Sequence, residues 1–261
     1  MSEEQKTVSE AGASVKKASE LTDDQIIKQL LENAPPVEEV SVELPSKNKF
    51  YQLEDPSKPI TIRAMTFSDE KAMMSNKNVN IDILNVLLSR CVSNIKIEDL
   101  LQFDKLYLTV KLRELSYGDE YTAVIPCPGC RRDNRITFEM SKLNTNFVED
   151  DLTNPQEITL PVLNKKIKVR FPRVKDESYF SNAEHAVSNL WRFVEEIDGH
   201  TSSTVISKVI KKLPLKDAHA LLQALSSNKY GIDTQVRFLC TFCNHNEIID
   251  MPVTTDFFTE S

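Results

Sequence analysis

Residues Tyr117–Cys130 read YGDEYTAVIPCPGC, and Tyr230–Cys243 read YGIDTQVRFLCTFC. Each is Tyr-Gly, eight residues, Cys, two residues, Cys. The chain has 261 residues with only five Gly and five Cys, so two of the glycines and four of the cysteines fall in one skeleton written twice. After each Gly the pattern is extended, "DEYTAVIP" or "IDTQVRFL". A Cys-x-x-Cys turn follows, and then a second extended stretch, "RITFEM" or "NEIIDMPV". Strand, tight cysteine turn, strand is the form of a zinc knuckle, in which two intervening residues let both sulfurs and the turn amides face one ion.

One knuckle offers two ligands, whereas structural zinc takes four. The spacing therefore predicts that Cys127, Cys130, Cys240 and Cys243 close one tetrahedral zinc site. The alternatives are two unrelated thiol pairs or a redox Cys-x-x-Cys. A redox motif normally opens a helix, and here the following residues read as extended. His245 is a substitute ligand in principle, but it stands two residues past Cys243 and reads as a loop residue. Cys91 lies on an apolar helical face and reads as a small core residue. A four-thiolate site leaves no position for water, which argues against catalytic zinc.

A second pair of stretches surrounds the first. Leu44-Pro45 precedes "ITIRAMTFSDE", and Leu160-Pro161 precedes "IKVRFPRVKDE". Ile60 to Glu70 align without a gap on Ile167 to Glu177, an offset of 107, against 113 at the two Tyr-Gly pairs. The expected fold is α+β, a tandem duplication of a strand-pair, helices and zinc-knuckle unit, with the two knuckles sharing one zinc. The expected boundaries are a tail at 1–39, a first part at 40–150 and a second at 151–261. Within the parts, "NIDILNVLLSRCV" carries a broad apolar face, and Ala183, Val187, Leu190, Trp191, Val194 and Ile197 recur at helical spacing. A further helix closes each part, "DKLYLTVKLRELS" and "DAHALLQALSSNK", with Asp104 and Asp217 as expected caps. Gly118 and Gly231 suit the left-handed residue after a helix.

Residues 1 to about 20 are polar and aperiodic and are expected to be disordered. "LTDDQIIKQLLEN" differs: Thr22 with Gln25 fits a capping box, Leu21 with Ile26 a hydrophobic staple, and Pro35-Pro36 stops the helix. A helix over 22–33 on a loose tether reads either as a partner-docking element using Ile26, Ile27, Leu30 and Leu31, or as a segment packed on its own domain.

With 40% hydrophobic residues, a chain of this length can bury a sizeable core without a metal. No apolar run reaches membrane-spanning length and the N-terminal stretch lacks a secretion signal's apolar core, so a soluble, unexported protein is expected. The net charge of −7 argues against a general polyanion binder. Arg131, Arg132 and Arg135 flank the first knuckle, which keeps a single-stranded nucleic-acid binder as a second reading, although a solvated basic loop explains them too. Asp69-Glu70 and Asp176-Glu177 resemble paired carboxylates, but each falls where a helix begins and acidic residues are favoured there. No Gly-rich phosphate loop, His-Glu-x-x-His or Gly-x-Ser-x-Gly occurs, so no catalytic residues are expected.

"LPSKNKFY", "ITIRAMTFSDEK" and above all "LRELSYGDEYTAVIPCPGC" resemble the baseplate protein family of T-even-type contractile-tailed bacteriophages, whose members take part in assembling the baseplate hub. The resemblance is dense over about 40–145 and sparser afterwards. It implies a non-enzymatic phage assembly protein that binds other baseplate hub or tail proteins in the cytoplasm of the infected host, and it leaves open whether the protein stays in the virion.

Overall fold

The computed structural model describes residues 22–31, 39–75, 83–180, 183–225, 229–253 and 255–258. The chain divides into two units, Met1–Val37 and Glu38–Ser261. In the first, helix α1 spans Asp23–Leu31. Its capping box is reciprocal: the Thr22 N–H donates to Gln25 Oε1 at 2.9 Å, and the Gln25 N–H to Thr22 Oγ1 at 3.4 Å. Ile26 is half-buried, while Ile27 and Leu30 are exposed. The expected tail, Leu21 of the staple, the side chain of Leu31 and residues 32–33 lie outside the described residues.

The second unit opens on an antiparallel sheet of order β1-β2-β3, formed by Glu39–Val42, Ile60–Arg63 and Val92–Ser93. Its inward side chains Ile60 and Ile62 alternate with half-buried neighbours, the period-two pattern of a one-sided strand. Helices α2 (Phe67–Ser75) and α3 (Ile83–Cys91) connect β2 to β3. Helix α4 (Gln102–Tyr117) is sixteen residues long and is buried on most of its circumference, including Lys105 and Arg113. Such a helix belongs in the middle of a core. Its buried charges have partners: Lys105 meets Glu177 at 2.7 Å, and the Arg113 guanidinium lies 4.6 Å from the Tyr117 ring centroid. Gly118 ends the helix at φ 88, ψ −179, a conformation essentially confined to glycine.

Hairpin β4–β5 follows, Glu120–Pro126 paired with Asp133–Glu139. A short strand β6 (Thr145–Asn146) leads to a second three-stranded antiparallel sheet, β7 (Gln156–Thr159), β8 (Lys166–Val169) and β9 (Val194–Ile197), in the order β7-β8-β9. Helices α5 (Ala183–Asn189), α6 (Ser203–Ile210) and α7 (Leu215–Leu225) accompany it. Ile167, Val169, Phe193, Ile206 and Leu221 form the centre of this second core. Strand β10 (Gly231–Ile232) pairs with β6, and hairpin β11–β12 joins Gln235–Leu239 to Asn246–Asp250. Gly231 is fixed twice over, by φ +91 and by Phe103, whose Cβ would stand 2.9 Å from an added Cβ.

The final hairpin does not return to the second core. Val236, Met251 and Val253 pack against the first one, as do Phe257 and Phe258, and the Phe257 ring stands edge-on to Tyr121 at 4.7 Å. Both cysteine hairpins therefore rest on the same core, and this brings their turns together.

Two expectations need correction, and one helix was not foreseen. Val194 and Ile197 are on a strand: α5 gives way to a tight turn at Leu190–Phe193, and the V-E-E-I sequence then pairs with β8 with both ends buried. Helix α6 lies in a segment given no assignment from sequence. Asp104 and Asp217 do not cap their own helices. Each is the third residue of its helix and binds a distant turn: Asp104 takes the Ser46 N–H at 3.0 Å, and Asp217 the Val162 and Leu163 N–H groups at 2.6 and 3.1 Å. Each buried carboxylate satisfies the amides of a distant turn rather than the N–H groups of its own helix.

Candidate metal centre

The two cysteine turns are built alike. In the first, the Arg131 N–H donates to Cys127 O at 2.7 Å and the Cys127 N–H to Arg132 O at 2.9 Å. In the second, the Asn244 N–H donates to Cys240 O at 3.1 Å and the Cys240 N–H to His245 O at 2.8 Å. Each loop reverses through a residue with positive φ just after its second cysteine, Arg131 at 62° and Asn244 at 57°. Asn tolerates that region well; Arg does so less readily, held here by the bonds on either side.

All four sulfurs lie within 4.8 Å of one another. Cys127 Sγ is 3.7 Å from Cys243 Sγ, and Cys130 Sγ is 3.7 Å from Cys240 Sγ. Four thiolates at a Zn–S distance of ~2.3 Å define a tetrahedron with an edge of about 3.8 Å, so both cross-hairpin distances fit. Cys127 and Cys240 are buried, Cys130 is half-buried and Cys243 is exposed. All five cysteines are unbonded thiols, and Cys91 is buried in the first core. Burial opposes ionisation of Cys240, but the Phe242 and Cys243 N–H groups and neighbouring thiols outweigh it and bring its pKa down to about 6. Cys243, although exposed, is pushed up to about 12, the His245 N–H notwithstanding, by local desolvation and by the three thiols crowded around it. A cluster that resists a second negative charge is one in which a divalent cation would be the natural counter-charge.

Three contacts between the hairpins were not legible as part of the site. Asn134, buried on β5, accepts the Thr241 N–H at 3.0 Å and donates to Arg132 O at 2.9 Å, tying the second turn to the first. The Arg132 guanidinium sits 5.2 Å from the Phe242 ring centroid. His245 packs against Gly129, where a Cβ would come within 3.3 Å of it, and its Nε2 is 3.3 Å from Glu247. His245 stands outside the thiol cluster. The one advance signal for Asn134 was a short polar residue at an inward position of the strand.

In each acidic pair the aspartate is held by guanidinium groups. Asp69 takes Arg63 at 2.8 Å and Arg90 at 2.6 Å; Asp176 takes Arg170 at 2.7 and 3.0 Å. Burial alone would raise both carboxyls, but the guanidinium and backbone N–H bonds hold them below the usual carboxylate range.

The fold is a two-core α+β body whose last hairpin closes, on the first core, a cluster of four thiols that could hold a metal ion. The chain belongs to the T4 bacteriophage base plate protein family, whose model matches residues 36–259. Neither a curated protein nor a solved structure matches it. Membership implies a role in phage assembly and association with other tail or baseplate proteins. Among the described residues, no helix is long and apolar enough to cross a membrane.

Proposed function

We propose that the protein is a non-enzymatic assembly factor that binds other hub or tail proteins while the baseplate hub is built in the host cytoplasm, with its body clamped by one structural zinc. The observation that carries this reading is the meeting of Cys127, Cys130, Cys240 and Cys243, from turns about 110 residues apart, in a chain of the baseplate family. Zinc is the ion that suits four thiolates at these distances. A ligand set drawn from the middle and the C-terminal part of the second unit makes metal binding part of the free energy that docks the hairpins.

The body is, on this reading, a tandem duplication. Its support is that both sheets have one strand order, both place an Arg–Asp pair six residues apart, both bind the turn after Leu-Pro to an aspartate at the third helical position, and both end in the same cysteine turn. Helix α1, with Ile27 and Leu30 exposed, is the proposed docking element for a partner. Affinity capture from infected cells tests the function: recovery of baseplate or tail proteins supports it. Recovery of nucleic acid lost with salt would favour the second reading, a nucleic-acid-binding knuckle using the exposed Arg131 and Arg135.

A further inference from the structure

In the first half of the body, the start of α4 is a socket, and a loop of the second half fills it. Val174 is 7% exposed and belongs to the first core. The Gln102 N–H donates to Pro172 O at 3.2 Å, and the Val174 N–H donates to Leu100 O at 2.9 Å. Around them, Gln102 Nε2 reaches Arg173 O and Glu177, Arg173 donates to the Asp99 and Phe50 carbonyls, and Lys175 pairs with Asp99 at 2.8 Å.

The alignment of the two halves assigns each member of this contact a counterpart. Ala64–Phe67 correspond to Phe171–Val174, and Leu213–Leu215 to Leu100–Gln102. The counterpart plug has no socket: Phe67, in the place of the buried Val174, is 80% exposed. The counterpart socket has no plug: Leu215, in the place of Gln102, is 71% exposed, and Val162 and Leu163, whose N–H groups bind Asp217 in that same helix, are exposed as well. Phe67 and Leu215 each open a helix, where first-turn N–H groups have no carbonyl of their own helix to bond. Among the described residues, one plug and one socket thus meet internally, and one of each has no occupant.

We infer that the two unused surfaces fit one another between copies, so that the Met65–Phe67 loop of one chain seats on the Leu213–Leu215 and Val162–Leu163 surface of the next. The inference rests on the proposed duplication. The occupant is a second copy because the internal contact is already a match between these two kinds of surface. By the internal template, the Leu215 N–H would donate to Met65 O and the Phe67 N–H to Leu213 O of the neighbouring copy. A plug-to-socket contact is heterologous: it is not self-complementary at a twofold axis, and it builds a ring if the rotation closes or an open filament if it does not.

Sedimentation of the full zinc-loaded chain and of two single variants, Phe67→Glu and Leu215→Glu, tests this. Both positions are exposed first-turn sites where Glu suits the helix dipole, so the variants should fold. The parent should form species above the 29.7 kDa monomer as concentration rises. Each variant alone should remain monomeric. An equimolar mixture should recover a dimer and nothing larger, because each variant supplies the one face that the other lacks. A parent that stays monomeric at its highest soluble concentration, including the case where another baseplate protein occupies these faces, overturns the inference; so does an oligomer that neither variant disturbs, or a mixture that does not recover. Superposing the two halves in a crystal structure of the chain tests the duplication separately, so a monomer with superposing halves would reject the contact alone.

Discussion

Asp104 Oδ1 accepts the Ser46 N–H at 3.0 Å across 58 residues of sequence, and the second carboxylate oxygen takes the Tyr51 hydroxyl. No cation reaches this carboxylate within salt-bridge distance among the described residues. Burial therefore pushes its pKa up to about 6, in spite of the bonds from Ser46 and Tyr51.

The sign of the pH effect follows. A carboxyl raised in the folded state binds its proton more tightly there than in the unfolded chain. Its contribution is fully present below the unfolded value near 3.8 and is lost as pH rises through about 6. Asp69 and Asp176 act oppositely, since their lowered values contribute stability that is lost as pH falls. Comparing the parent with Asp104→Asn isolates the first effect. The parent's advantage should shrink by roughly 2–3 kcal/mol from pH 4 to pH 7 in denaturant unfolding. A constant difference would contradict the assignment.

The two Arg–Asp pairs should differ in cost. Asp69 keeps Arg90 when Arg63 is lost, whereas Arg170 is the guanidinium that faces Asp176. Arg170→Met should destabilise by roughly 3–5 kcal/mol, and Arg63→Met by clearly less, because only the former strands a buried carboxylate. Equal losses in chemical denaturation would mean that Arg90 contributes nothing to Asp69.

Deleting residues 1–36 should leave zinc content and thermal unfolding unchanged while weakening partner capture. The four aliphatic side chains at Ile26, Ile27, Leu30 and Leu31 would supply roughly 6 kcal/mol if buried on a partner, at about 1.5 kcal/mol each before ordering costs. A truncated chain that melts markedly lower would make the helix part of the body instead.

The cysteine cluster was legible because ligand spacing is a local code: two Cys-x-x-Cys turns between extended stretches specify the knuckle whatever surrounds them. The capping box at Thr22 and Gln25 was legible for the same reason. What the sequence concealed was long-range. Val194 and Ile197, three residues apart, fit a helical period and not that of a regular strand, and both are buried on a strand whose pairing with β8 shifts register between Lys168 and Val169, which no local pattern encodes. Asp104 and Asp217 have the residue type and place of caps, yet their partners are turns more than 50 residues away, which no local pattern encodes. Asn134 likewise acquires its role only once the second hairpin folds back onto the first core.

The central claim is that one zinc per chain joins the two hairpins. Metal analysis of the freshly purified native protein, beside a Cys240→Ser Cys243→Ser double variant, tests it most directly. The account predicts one zinc per chain in the parent and loss of that zinc in the variant, since two thiolates at Cys127 and Cys130 cannot complete a four-ligand site. A native protein without zinc, or a double variant that keeps it in full, would contradict the account.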